Sequence, residues 1–566
     1  MADLIRDSVF RHIMRLASKR KIFPFPEERN PSLWERDINI EKTANISHYG
    51  TTEREIEKED HQRNVSNSRT LSETQVDDDG SPKNLCDIPL DKEMGRDVHV
   101  VSWYGNNDPE NPVNWSIAKK SFVTFEICLL TTSVYIGSAI YSGGIESVMR
   151  TFGVNQVAAT LGLTLFVAGY GTGPMLWSPI SEIPQIGRNP VYIGTLVIFV
   201  VLQIPTALTT NFGMLLAFRF LTGFFGSPVL ATGGASISDI YTPAKRSYAM
   251  SVWGISAVCG PILGPLVGGF AAQAEGWTWT IWELMWLSGS SLVLLIFFLP
   301  ETSSNNILFR RTCRLRKLTR NEKLTCEPEL MSENMTGKEI VQMILVRPFT
   351  LNFTEPMVFL LNLYIALIYG LLYIWFESFP IVFIEIYHFN IGEVGLAFIG
   401  ILVGVFVTVP LFFWYLHKYL EPNVNANGEV KPELRLPPAC VGAFFIPICL
   451  FWFGWSARPS IHWIMPIIGS SFFSVGAFLL FNSVLNYLAD AYPEYAASVL
   501  AGNDLFRSSF GAGFPLFASA MYRNLGVGWA SSTLAFLSIA FIPIPFVLVR
   551  YGGRLRKSSK HARKNF

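Results

Sequence analysis

Twelve stretches of this 566-residue chain are apolar for about the length of a bilayer crossing, and that feature removes most folds at once. The hydrocarbon core of a bilayer asks for about 20 apolar residues per helix. Inside it every backbone amide must be paired within the protein, which leaves helices and closed barrels. The stretches run over 121–142, 157–177, 191–210, 213–236, 248–272, 280–299, 356–376, 391–416, 438–456, 463–488, 496–520 and 528–549. They are continuous and too long for strands, so they read as helices. Half of all residues are hydrophobic and only 16% are charged, against roughly 25% in a soluble domain. The expected fold class is an all-α polytopic membrane protein, with the lipid bilayer as its solvent.

The widest gap, about 300–355, divides the stretches six and six. Two six-helix halves with a shared site near the midplane are the layout this suggests. The expected division is a mostly disordered cytosolic tail at 1–120, a first half at 121–299, a cytosolic middle loop at 300–355, a second half at 356–549 and a basic cytosolic tail at 550–566. Residues 27–100 are polar and acidic with few aromatics, a composition that buries no core. Residues 2–21 interleave Arg6, Arg11, Arg15 and Lys19 with apolar positions; a helix on the membrane surface, a solvated helix and disorder all remain open.

Orientation follows from the basic residues, which concentrate on the cytosolic side. With a cytosolic N-terminus, the outward connections hold only Arg150, Arg458 and Arg523. The inward ones hold Arg188, Lys245, Arg246, Lys418 and Lys431, and a cluster from Arg310 to Lys323. Both termini are therefore expected in the cytosol. A net charge of +1 built from such segregated charges indicates no nucleic-acid partner. No CxxC pair occurs among the seven cysteines, and GxxxxGK[ST] is absent. No metal site, cofactor or ATP-driven step is expected.

The fifth stretch contains Gly254–Gly269, GISAVCGPILGPLVGG, inside a run without charge between Ser247 and Glu275. Seven of its sixteen residues are Gly254, Gly260, Pro261, Gly264, Pro265, Gly268 and Gly269. In water such a density ends a helix; in lipid, neighbouring helices tolerate it. Gly260, Gly264 and Gly268 fall four apart, and a smooth glycine face admits another backbone closely. A bent, tightly docked helix is the expectation. The pattern resembles the antiporter motif in the fifth helix of major facilitator drug:proton antiporters. Asp108–Trp115, DPENPVNW, and Tyr369–Pro380, YGLLYIWFESFP, resemble the fungal branch of that group.

The resemblance, over about residues 103–557, implies a major facilitator fold of twelve transmembrane helices. It also implies roles for particular residues. Glu182 and Arg188, around Gly187, resemble the acid and Arg of a short cytosolic loop that closes an inner gate; Asp239 is the natural third partner. Glu182 stands where Asp is usual, and Asn189 where a second basic residue often sits. Read without the resemblance, the same residues make an ordinary solvated loop. Arg219, in RFLTG, resembles the fourth-helix Arg linked to proton transfer. A charge inside a span is by itself a functional candidate, although a snorkelling residue near the surface is the alternative. Its acidic partner stays open between Asp239, Glu126 and Glu377. Asp504 and Arg507, three apart on one face, are expected to pair. Candidate cavity residues are Tyr135, Gln203, Tyr369, Tyr373, Asn482, Asn486, Phe510 and Phe514.

The implied function is a monomeric plasma-membrane multidrug efflux transporter, not an enzyme, exporting small apolar drugs in exchange for protons. A dedicated exporter of an endogenous solute such as polyamines, or a non-transporting membrane sensor, are the alternatives. A more acidic cavity favours the first of these and a large folded cytosolic domain the second.

Overall fold

A computed structural model describes residues 8–18, 25–29, 99–105, 107–333, 342, 346–425 and 430–563. Most of the polar 27–100 segment, and with it the expectation of disorder there, lies outside the described residues. Of the segment 2–21, residues Val9–Ala17 form helix α1.

The membrane helices follow one another with short connections. They are α2 (Ile117–Ala139), α3 (Gln156–Glu182), α4 (Arg188–Ala207), α5 (Phe212–Gly226), α6 (Pro228–Ile240), α7 (Pro243–Glu275) and α8 (Trp277–Phe298). Helix α9 (Ser304–Thr319) lies in the middle connection. The second series is α10 (Pro356–Pro380), α11 (Ile391–Ala397), α12 (Ile399–Tyr415), α13 (Pro437–Ser456), α14 (Ile464–Ala491), α15 (Ala496–Phe541) and α16 (Pro543–Ser558). Starts are set by local capping: Ser116, Asn155 and Asn211 accept from the amides of Lys119, Ala158 and Met214, satisfying donors that the first turn leaves unpaired.

Ten stretches among the described residues are long and apolar enough to cross a membrane. One of them, Ser498–Ser558, is 61 residues long and holds two crossings. It is broken at Gly526, whose φ of 76° and ψ of 158° lie outside the helical range and suit a residue without Cβ. Helix α3, with 27 residues, is long enough to cross, but its Gly and Thr dilute its apolarity. These two account for the difference from twelve. The fourth expected span is two helices, α5 and α6, meeting at Ser227. Helix α7 runs unbroken for 33 residues with Pro261 and Pro265 inside it.

One end of the bundle gathers the chain termini. Strands β1 (His99–Val100) and β2 (Leu324–Thr325) pair there in parallel. Ser8 bridges to Pro300, and the Arg563 amide donates to the Ala491 carbonyl. At the opposite, far end, the Gly392 amide donates to Gln273 Oε1. Helix α7 stands between the two series. Its glycine face packs on α2: a Cβ on Gly260 would lie 2.5 Å from Tyr135 Cβ, one on Gly264 2.5 Å from Ala139 Cβ, and one on Gly268 against the Ile140 carbonyl. On its other side Gly395 of α11 meets the backbone of Pro265 and Leu266, while Gly269 meets Ile391.

Candidate substrate cavity and the charged groups around it

Helices α2, α7, α10, α12, α14 and α15 enclose a central cavity of about 820 Å³, counted out to open solvent. Trp253, Phe473, Phe478 and Phe481 give much of its wall, and Gly254 faces it beside Asn482. A smaller space of about 230 Å³ shares Asn482 and Asn486 and continues toward the tail end, past Ser247, Leu420 and Arg435.

Four of the expected cavity residues line it: Tyr135, Tyr369, Asn482 and Asn486. The other four do not. The Tyr373 hydroxyl is drawn away into a buried cluster, bonding the Tyr170 hydroxyl at 2.8 Å and the Ser138 hydroxyl at 2.8 Å. Phe514 packs on Gly370, with the Phe510 ring tilted against it at 5.1 Å. Gln203 is buried on α4, which contributes nothing to the wall. Tyr373, Phe510, Phe514 and Gln203 thus lie off this wall; an aromatic or amide in a span is as able to fill a helix interface as to face a ligand.

The charged lining residue is Arg507, which spacing places only on the helix face of Asp504. Its Nε donates to Asp504 Oδ1 at 2.7 Å, and its Nη2 donates to the Tyr135 hydroxyl at 2.8 Å. Asp504 is buried, and its Oδ2 has no hydrogen-bond partner among the described residues. The general rule that a charge within a span marks a site was the available signal.

Arg219 is fully buried, so it does not snorkel. Its Nε donates to the Gly162 carbonyl at 2.9 Å and its Nη2 to the Gly137 carbonyl at 2.8 Å. The guanidinium lies 4.4 Å from the Phe166 ring centre and 4.8 Å from that of Tyr141. Carbonyl dipoles and ring faces therefore compensate its charge, and none of the three expected acids is bonded to it. Glu377, at the end of α10, accepts from Gln156 Nε2 at 2.9 Å and Thr160 Oγ1 at 3.1 Å, joining the two helix series at the far end. Glu126 is buried, and neither carboxylate oxygen has a partner among the described residues.

At the tail end Arg188 and Asp239 meet at 3.0 Å. Glu182 is exposed and hydrogen-bonds neither. The acid that organises this loop is Glu301, from the string LPET: it accepts the Arg188 and Asn189 amides at 3.2 Å each. Asn189 Nδ2 in turn donates to the Leu299 carbonyl at 2.7 Å, a role for which no second basic residue is needed. Across the two series, Arg435 bonds Ser247 and Lys245 meets Glu421 at 2.8 Å, while within the second series Arg435 also bonds Asp490 at 2.8 Å.

Residues 127–515 match the model of the Major Facilitator Superfamily, more than half of the chain. The chain belongs to the Major Facilitator Superfamily. This facilitator is 49% identical to Transporter mfs1 of Schizosaccharomyces pombe over 82% of its own length and 88% of the relative's. It is 39% identical to the Cycloheximide resistance protein of Candida maltosa over 99% of this chain and all of that one. With Fluconazole resistance protein 1 of Saccharomyces cerevisiae it shares 40% identity, over 89% and 91% of the two chains. Among solved structures, the human organic anion transporter MFSD10 covers 77% of the facilitator at a TM-score of 0.51 and 16% identity, with 99% of that chain matched. The xylose transporter XylE from E. coli, in a partially occluded inward-open conformation, covers 76%, with 99% of its own chain matched, at the same TM-score and identity. These two likenesses carry the fold alone. The facilitator is a multi-pass membrane transporter and not an enzyme.

Proposed function

We propose that this facilitator exports small, mostly apolar compounds across the plasma membrane in exchange for protons. The observation that carries the reading is the aromatic-walled cavity between the two helix series, continuing toward the tail end. Relatives covered over most of their length bear the names of cycloheximide and fluconazole resistance. The basic residues of the middle connection and the C-terminal tail gather at that same end, which supports placing both termini in the cytosol. The cavity is then loaded from the cytosol, and the chain acts as a monomer with its site between its own two six-helix halves.

Proton coupling on this reading involves Arg219, Glu126 and Glu377. Ionised, Glu377 is an acceptor only and holds Gln156 and Thr160 across the far end; a proton on it removes acceptor capacity there and loosens the outer closure. At the inner gate Arg188 and Asp239 separate and re-pair as the cavity opens and shuts, with Glu182 at its rim. The cavity lining contains no Asp or Glu, which disfavours a polyamine as cargo.

Cells lacking other pumps, with and without this chain, test the reading. Labelled cycloheximide and fluconazole are expected to accumulate less when the chain is present, and a protonophore is expected to abolish the difference. Export of neither compound, or export untouched by the protonophore, overturns it.

A further inference from the structure

The cavity wall is apolar but for a few groups, and their bonding divides them into unused donors and unused acceptors. Arg507 spends Nε and Nη2 on Asp504 and Tyr135, while its Nη1 donates to nothing among the described residues. Asn482 Nδ2 donates to the Phe478 carbonyl at 3.0 Å, and Asn486 Nδ2 to the Asn482 carbonyl at 2.7 Å. Each turns its amide donor back on its own helix, α14, and neither amide oxygen accepts a hydrogen bond from a described residue. A guanidinium corner thus stands on α15 and two amide oxygens on α14, with the aromatic wall between them.

The charge balance is one-sided. Asp504 is tied to Arg507 and is not part of the wall, so the wall shows the positive end of that pair. Arg507 also lies over the Tyr369 ring, 5.4 Å from its centre, and occupies a face that an aromatic cage would offer to a cationic ligand. A cation entering this space meets a like charge in low dielectric, where repulsion is stronger than in water.

Resting on the proposed export activity, we infer that the cavity selects uncharged or anionic aromatic molecules. It grips their hydrogen-bond acceptor with Arg507 and a donor with the Asn482–Asn486 amides, and it rejects organic cations. Arg507 is then the specificity-determining residue for charge, and Asp504 is a positioning residue that holds it.

Three probes with one fluorophore read this directly: dansylamide (neutral), dansylglycine (anionic) and dansylcadaverine (cationic), titrated into the purified full-length chain in nanodiscs. Dansylamide and dansylglycine are expected to bind at least tenfold more tightly than dansylcadaverine. The double variant Arg507→Gln/Asp504→Asn removes both charges without stranding either, and is expected to bring the neutral and cationic probes within about threefold of each other. Asn486→Asp adds a carboxylate to the wall and keeps Arg507. It is expected to raise dansylcadaverine affinity at least tenfold, which serves if the double variant does not fold. Equal binding of cation and amide by the unmodified chain, a preference that persists without Arg507, no gain in Asn486→Asp, or no binding of any probe each overturns the inference. Drug export that passes its own test beside any of these results leaves the transport reading standing, so the two failures are distinguishable.

Discussion

Gly268 is where α7 comes closest to the chain leaving α2, because a methyl group there would collide with the Ile140 carbonyl. Backbone cannot step aside as a side-chain tip can, and overpacking of this kind costs about 1–3 kcal/mol. Gly268→Ala should lower the melting temperature of the purified protein, while Gly194→Ala, with nothing within 4 Å of its Cβ, should leave it unchanged or slightly raise it, since Ala suits a helix better than Gly. Equal melting curves would remove the close-approach argument. Arg219 offers a second residue-scale case. Arg219→Ala strands the Gly162 and Gly137 carbonyls that it bonds and is expected to lose proton-driven efflux while retaining drug binding. Arg219→Lys restores the charge but not the planar fork and should recover part of the efflux. Wild-type pH dependence in Arg219→Ala would leave this Arg as a structural strut. Individual residues were legible where the chemistry was local: the Asp504–Arg507 pair follows from spacing of three on a helix. The bond from Arg507 to Tyr135, 372 residues away, is fixed by how helices pack and has no local signature. The same is true of the cluster in which the hydroxyls of Tyr369 and Tyr373, one turn apart, both meet Tyr170, while only the Tyr369 side chain reaches the cavity wall.

At the scale of elements, α9 is held outside the bundle by a buried charge cluster. Arg311 donates to Asp108 Oδ2 at 2.7 Å and to Glu110 Oε2 at 3.0 Å, and reaches Glu27 at 3.3 Å. Arg314 bonds Glu27 and Glu110 at 3.1 and 3.0 Å. The DPENP segment and the N-terminal segment around Glu27 are thereby clasped to the middle connection. Burial pushes the Asp108 carboxyl upward, but the Arg311 bonds and the amides of Tyr104 and Glu110 more than reverse this and hold it below its usual value of 3.8. A carboxylate held low stabilises fully above its unfolded value and loses that contribution as pH falls through the folded one. The melting temperature should therefore fall on acidification below about pH 4. Arg311→Ala leaves the buried Asp108 carboxylate without its cation, while Glu27 and Glu110 keep Arg314, and should cost about 3–5 kcal/mol near neutral pH. Its acid-side slope should also be shallower; an unchanged slope would place the pH response elsewhere. Element positions were readable from apolar runs, since the bilayer fixes their length. The breaks were less so: Gly226 and Pro228 flank Ser227 and divide one span there, while Pro261 and Pro265 leave α7 continuous, with neighbours packed against it on both sides.

Across the whole molecule the two helix series repeat a device. Asp239 at the end of α6 pairs with Arg188, and Asp490 near the end of α14 pairs with Arg435, as the Asp-x-Tyr followed by Pro at both places suggests. The far end is tied across the series by Glu377 with Gln156 and Thr160, by Thr164 to the Ala512 carbonyl at 2.9 Å and by Gln273 to Gly392. Toward the tail end the cavity continues as a second space. The six-plus-six plan was legible in hydropathy and charge placement. The cavity was not, because which face of each helix turns inward depends on partners far off in sequence. The account as a whole stands on an apolar cargo moving through that space against a proton. Its most direct test is uptake of labelled cycloheximide into proteoliposomes with an acidic lumen, the chain inserted with its tail end outward. Accumulation above the outside concentration, collapsing when nigericin dissipates the pH gradient, is the predicted result. Simple equilibration, the same with and without the gradient, would contradict it.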